Sequence, residues 1–278
     1  SYATTRHRLT EGRFCLGIGR GIGPLFAAYG MSKITTAQME DFANVMKRLF
    51  KGEVIFGHDG PIGKYPILAL DPTFDENIPL GITAFGQNTL ELAGRAFDCV
   101  ILHTFFSDET TQRCVKTVKD SAERAGRDPD KVRVWSCFAT IGDHIPEDIR
   151  LKKTVGRLAT YLQGYGDLMV TTNNWDPAVL QRFRDDEFIK TFRGALDGIA
   201  TTEQLEHVAT LIPSEWLESA ASGSPAECVA SIRHQFVLGC DGVIMHGASP
   251  DDLAPIVREY RATRPVGVFD HLAANPGG

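Results

Sequence analysis

Apolar positions along this chain switch between two spacings. Met39, Phe42, Ala43, Met46, Leu49 and Phe50 recur every three or four residues and share one face of a helix, which Thr35-Thr36-Ala37-Gln38 opens and Gly52 closes. Further on, unbroken apolar runs alternate with amphipathic stretches. The pattern predicts strand Leu80 to Ala84, helix Asn88 to Ala96, strand Cys99 to His103, helix Glu109 to Ala125 and strand Val132 to Ile141. Continuous apolar runs of this length suit strands covered on both faces. The alternation resumes at Ser224-Pro225-Ala226-Glu227, where an N-cap, an N1 proline and an N3 acid begin a helix ending near Leu238-Gly239. Strand Gly242 to His246 follows, then a helix opened by Ser249-Pro250.

Residues 146–220 read as almost wholly helical, with breaks at Gly164-Tyr165-Gly166, Asn173-Asn174 and Gly198. They form an insertion between two βα units. Glu53 to Phe56 and Tyr65 to Leu70 read as a small hairpin around His58-Asp59-Gly60-Pro61, and residues 265–278 as a loose tail. Another strand leads into the glycine-dense turn ending at Gly23. About five parallel-type strands, each followed by a helix, predict an α/β protein. A (β/α)8 barrel needs eight strands in roughly 250 residues. A barrel carrying this insertion should therefore have further strands before Ser1, within a single domain spanning residues 1–278.

Composition narrows the partners. The 278 residues are 43% hydrophobic, enough for one large, barrel-sized core or two modest ones. Lys and Arg total 29 against 35 Asp and Glu, and no long basic run exists to follow a phosphate backbone, so nucleic acid is not an expected partner. The six cysteines form no C-x-x-C pair and read as reduced core thiols. No apolar run reaches the ~18 residues of a membrane span. The expectation is a soluble cytoplasmic protein acting on a small-molecule substrate, with no membrane partner.

The stretch Gly12-Arg13-Phe14-Cys15-Leu16-Gly17-Ile18-Gly19-Arg20-Gly21-Ile22-Gly23 sets a strand directly before the glycine-dense turn. Missing Cβ atoms let a flat or phosphorylated ligand reach main-chain N–H groups; a tight bend with no ligand is the alternative. The turn is not a dinucleotide fingerprint. The sixth position of G-x-G-x-x-G falls on Ile22, Pro24 or Phe26, and a Walker A loop lacks its Lys and Ser/Thr. His103 and His246 end strands that would face a barrel mouth, where a histidine can exchange a proton with a substrate oxygen or serve as a hydrogen-bonded structural group. His144 follows Gly142-Asp143 in a similar place. A metal hydrolase would need His58, His103, His144 and His246 with Asp59 or Asp143, but no H-x-H or H-E-x-x-H spacing supports it. Tyr161, Tyr165 and Trp175 either cover an apolar substrate or belong to the core.

Several segments together resemble one family. Arg8-Leu9-Thr10-Glu11-Gly12-Arg13-Phe14-Cys15-Leu16-Gly17-Ile18-Gly19 resembles the L-S/T-x-G-R-F-x-L-G-x-G signature of the luciferase-like monooxygenase superfamily, TIM barrels that bind FMN or the deazaflavin coenzyme F420. Leu92-Ala93-Gly94-Arg95-Ala96-Phe97-Asp98, Ala125-Gly126-Arg127-Asp128-Pro129 and Gly223-Ser224-Pro225-Ala226-Glu227 with Gly239-Cys240-Asp241-Gly242-Val243 resemble its later motifs in the same order. The nearest likeness is to an actinobacterial subgroup of F420-dependent oxidoreductases.

The resemblance implies a luciferase-like barrel joined near the end of its third βα unit, a homodimer, and hydride transfer between F420 and a small organic substrate. It places Gly19, Arg20, Gly21, Ala84, Phe85 and Gly86 against the cofactor, with His103 and His246 beside the substrate. An ordinary βα turn with Phe85 in the core is the other reading of that second loop, and a solvated side chain that of Arg20. In the family's sugar-phosphate dehydrogenases an acid follows the glycine loop; the matching residue here is Ile22, which cannot transfer a proton, so that substrate is disfavoured. FMN with O₂, and a non-catalytic flavin-binding member, are the alternative readings.

Overall fold

The computed structural model describes residues 1–21 and 23–270; the expectations placed on Ile22 and on the tail from 271 to 278 lie outside the described residues. The chain divides into two compact units, Ser1–Leu102 with Cys114–Trp135 and Asp270, and His103–Arg113 with Ser136–Phe269. In chain order the first elements are α1 (Tyr2–Leu9), β1 (Leu16–Ile18), α2 (Gly23–Ala28), α3 (Thr36–Phe50), β2 (Ile55–Gly60), β3 (Gly63–Leu68), β4 (Leu80–Ala84), α4 (Gln87–Ala96), β5 (Cys99–Leu102) and α5 (Asp108–Arg124). There follow β6 (Arg133–Gly142), α6 (Glu147–Leu151), α7 (Arg157–Asn173), α8 (Pro177–Asp185), α9 (Glu187–Thr191), α10 (Leu196–Ile199), α11 (Thr202–Ala209), β7 (Ala221–Gly223), α12 (Pro225–Val237), β8 (Gly242–His246) and α13 (Pro250–Ala262).

In the first unit β1, β4, β5 and the start of β6 form a parallel sheet, with Leu16 opposite Leu80, Gly81 opposite Cys99 and Cys99 opposite Arg133. α3 carries the predicted capping box, Thr35 with Gln38, and its Val45 and Leu49 pack with Ile55 of the hairpin. The hairpin ladder runs further than its sequence suggests. His58 pairs with Tyr65 and Asp59 with Lys64, up to Gly60 opposite Gly63, so the turn is only Pro61-Ile62. Asp41 holds it there, its carboxylate accepting from the Ile62 N–H at 3.0 Å and facing His58 Nε2 at 3.1 Å.

Two of the motifs that resemble the family's, those carrying Asp98 and Arg127, are structural in this unit. Asp98 Oδ2 accepts from the Leu80 N–H at 2.9 Å, while Oδ1 takes Arg127 Nη2 at 2.9 Å and Lys47 Nζ at 3.1 Å. Arg127 Nη1 donates to the carbonyls of Gly94 and Phe97, each at 2.6 Å. One carboxylate and one guanidinium thus tie the start of β4 and the ends of α4 and α5 together, satisfying backbone groups that a helix end leaves over.

In the second unit the end of β6 pairs in parallel with β7, Thr140 opposite Ala221, and β8 also pairs with β6. Phe138, Cys228, Val229, Ile232 and Ile256 form a core under α12 and α13. Both helices open on capping boxes, Ser224 with Glu227 and Ser249 with Asp252. Two elements have no counterpart in the sequence reading, β7 and α2; at three and six residues they are too short for any periodicity to show. Among the described residues no helix is long and apolar enough to cross a membrane.

Candidate functional site

The expected cofactor contacts lie in the first unit. Gly19, Arg20 and Gly21 follow β1; Ala84 ends β4, Phe85 lies in the turn, and Gly86 is the N-cap of α4. A side chain at Gly19 would meet Thr83 Oγ1 at 2.6 Å, and Gly21 has φ +69°, a left-handed value that favours glycine. These two glycines are fixed by packing and backbone before any ligand is considered. The structure brings Arg20 to the other loop: its guanidinium donates to the hydroxyl of Thr89, in the first turn of α4. No side chain caps that helix at Gly86. A guanidinium beside an uncapped helix N-terminus puts two sources of positive potential in one place, an arrangement that suits phosphate or carboxylate.

The histidines lie in the second unit, and there the structure gathers more than the sequence indicated. α7 is preceded by one π-helical turn, Lys152–Gly156, and its backbone leaves helical values at Tyr165 (φ −156°, ψ 39°), between Gly164 and Gly166. Glycines on both sides favour such a kink. The Tyr161 and Tyr165 rings stack 5.5 Å apart and both meet His103 edge-on, at centroid distances of 4.9 and 5.5 Å, while Phe106 lies at 6.0 Å.

His103 Nδ1 is 2.8 Å from the Thr104 carbonyl and Nε2 is 2.9 Å from the Tyr165 hydroxyl. Burial pushes its pKa down to about 4, with the charge of His246 adding to the effect, so the ring is neutral at pH 7. Burial and the nearby Arg157 guanidinium lower His246 as well. Its Nδ1 is buried with no hydrogen-bond partner among the described residues, an unmet polar atom of the kind a ligand completes. Arg157 Nε pairs with Asp197 Oδ2 at 2.8 Å, and Asp197 also accepts from Thr160 Oγ1 at 2.8 Å. Burial raises the pKa of both tyrosines.

The other sequence candidates are placed elsewhere. Trp175 does not join the tyrosines; it stacks on Trp216 at 4.2 Å. His144 Nε2 donates to the Asp252 carbonyl at 2.7 Å and His58 faces Asp41, both structural roles. Among the described residues no group of three or more His, Cys, Asp or Glu could hold a metal ion. A cavity of about 680 Å³ in the second unit is lined by Phe138, Trp175, Gln235, Asp108, Glu215 and Glu218 among others, and by none of the expected site residues. The sequence reading missed Arg157 and Asp197; neither stands in a motif, and only the fold pairs them across 40 positions.

A sequence model of luciferase-like monooxygenases matches residues 2–242. The chain belongs to this family. It is 25% identical over 244 residues to a 5,10-methylenetetrahydromethanopterin reductase of Methanolobus tindarius, covering 86% of this chain and 69% of that protein. Among solved structures, a coenzyme F420-dependent tetrahydromethanopterin reductase from Methanopyrus kandleri superposes with a TM-score of 0.68 at 18% identity, over 91% of this chain and 74% of its own. An EDTA monooxygenase from Chelativorans sp. BNC1 gives 0.60 at 16% identity, over 99% and 74%. The α/β fold of this luciferase-like chain is thus one shared by F420-dependent reductases and by monooxygenases.

Proposed function

We propose that this luciferase-like chain serves an oxidoreductase that moves a hydride between coenzyme F420 and a small organic molecule. The observation that carries the reading is the Arg20 guanidinium held on the uncapped first turn of α4, which fits the phosphate or acidic tail of such a cofactor. The likeness to F420-dependent reductases favours the deazaflavin. Bound there, the cofactor supplies the two-electron chemistry, and the protein contributes position and electrostatics. Arg20 and the N–H groups following Gly86 hold the anion; Gly19 lets the loop pack closely on Thr83, and Gly21 lets it turn through a left-handed residue. In the second unit, His103 and His246 are neutral proton acceptors, and Arg157 keeps positive charge beside His246.

FMN with O₂ is the second reading, favoured by the monooxygenase among the similar structures; the same anion cradle would serve its phosphate. A homodimer in the cytosol belongs to the same proposal by family likeness. Removing the guanidinium tests the cradle. Arg20→Ala should weaken F420 binding about tenfold, or about 1.4 kcal/mol, in a fluorescence titration. An unchanged dissociation constant would place the cofactor elsewhere.

A further inference from the structure

The cavity of about 680 Å³ lies wholly within the second unit, and no step proposed above uses it. Its volume falls in the range of small-molecule pockets, about 300–1,000 Å³. The charge on its walls is of one sign. Asp108, Glu109, Glu215 and Glu218 line it, and among the described lining residues none is Lys or Arg. Two of these acids are already engaged. Asp108 Oδ2 lies 2.6 Å from His234 Nε2, and Glu109, in the first turn of α5, takes hydrogen bonds from its own backbone N–H and from Ser107 that hold its carboxyl below the usual range. Glu215 and Glu218 have no cationic partner among the described residues, and Glu215 meets only the Ser214 hydroxyl, at 3.5 Å.

Exposed acids alone make an ordinary solvated surface; the buried side of this cavity is different. Gln235 lines it and is only 3% exposed. Its Oε1 accepts from the Ser136 hydroxyl at 2.8 Å, while Nε2 donates to nothing among the described residues. A side chain so enclosed meets open space only where it lines the cavity, so the unmet N–H groups face into it. A buried amide left in this state is completed by a ligand or by water. Trp175 supplies a further wall. Its ring stacks 4.2 Å from that of buried Trp216, at an interplanar angle of 8°, and Trp216 follows Glu215 in the chain. The stack holds in place an indole ring, whose π face attracts cations.

We propose that this cavity binds an organic cation that carries an uncharged oxygen: an amino alcohol, or a larger molecule built on such a head. Glu215, Glu218 and the Trp175 ring receive the ammonium group, and the Gln235 N–H groups donate to the oxygen. That oxygen is uncharged because a ligand carboxylate would face the acids on the walls. A metal ion does not fit, since amide N–H groups donate and cannot coordinate one, and no group of three or more metal-binding side chains occurs among the described residues. The site shares no residue with those assigned to the cofactor and does not rest on the oxidoreductase reading.

The probe is choline, whose charge is permanent. Titrated into the full chain at low salt and followed by calorimetry and tryptophan fluorescence, it should bind with a dissociation constant at or below about 1 mM. Glu215→Gln combined with Glu218→Gln changes only exposed side chains and should weaken binding about tenfold. About 0.5 M NaCl should weaken it similarly. The uncharged isostere of choline, in which carbon replaces nitrogen, should bind at least about tenfold more weakly, and tetramethylammonium, which keeps the charge and lacks the hydroxyl, about fivefold more weakly. Gln235→Met should remove the difference between choline and tetramethylammonium, a comparison made within one variant.

No choline binding up to about 10 mM, equal binding of the uncharged isostere, or an unchanged constant in the double variant would overturn the proposal. Equal binding of choline and tetramethylammonium by the wild type would overturn the role of the amide, and the ligand class with it. Each of these results leaves the oxidoreductase reading standing.

Discussion

Gly94→Ala is expected to destabilise the protein by about 2–3 kcal/mol, lowering its urea midpoint by on the order of 1 M. A methyl group at this position of α4 would run into the Val118 carbonyl oxygen, approach Ser121 Cβ at 2.8 Å and the Ala122 nitrogen at 2.9 Å. Two of these three are backbone atoms of α5, and a backbone cannot swing aside as a side chain can. The better helix propensity of alanine returns at most about 1 kcal/mol. Moving α5 away would also strain the contacts that Arg127 makes with Gly94 and Asp98. The control is Gly17→Ala in β1, where nothing lies within 4 Å and stability should hold. Equal midpoints for Gly94→Ala and wild type would contradict the close packing of α4 on α5.

Acid should weaken the fold through His103. In the unfolded chain this ring takes up a proton near pH 6.5; in the folded protein it does so only at about 4. Between those values the unfolded state binds more protons, so stability is intact above pH 6.5 and falls as pH drops towards 4. The full difference corresponds to about 3 kcal/mol. The lowered pKa of His246 acts in the same sense. Acidic groups lose stability over part of the same range, so the contribution is read as a difference: wild type against His103→Gln, in urea melts at pH 7 and pH 4.5. The variant should be less stable at pH 7, having lost the Tyr165 and Thr104 contacts, and its acid sensitivity should be smaller. Parallel pH curves for the two proteins would show that His103 is not the buried neutral ring described above.

Much of the fold was legible because its strands are unbroken apolar runs and its helices announce their ends. Thr35, Ser224 and Ser249 each stand three residues before the side chain that completes a capping box. The glycine loop was legible too, although its glycines answer first to Thr83 and to a left-handed backbone. Relationships across long separations were not. Nothing near Arg20 indicates that its partner is Thr89, 69 residues on, and nothing near Tyr165 indicates that a kink will bring its hydroxyl to His103, 62 residues back. Periodicity reports which face of a helix is apolar; it does not report where a helix departs from regularity, and this site depends on such a departure.

The central claim is most directly tested by titrating purified protein with coenzyme F420 and, separately, with FMN, following fluorescence. The account predicts a dissociation constant for F420 at or below about 1 μM and at least tenfold weaker binding of FMN. A preference for FMN would make the protein a flavin monooxygenase of the same fold, and no binding of either would contradict the redox function proposed for it.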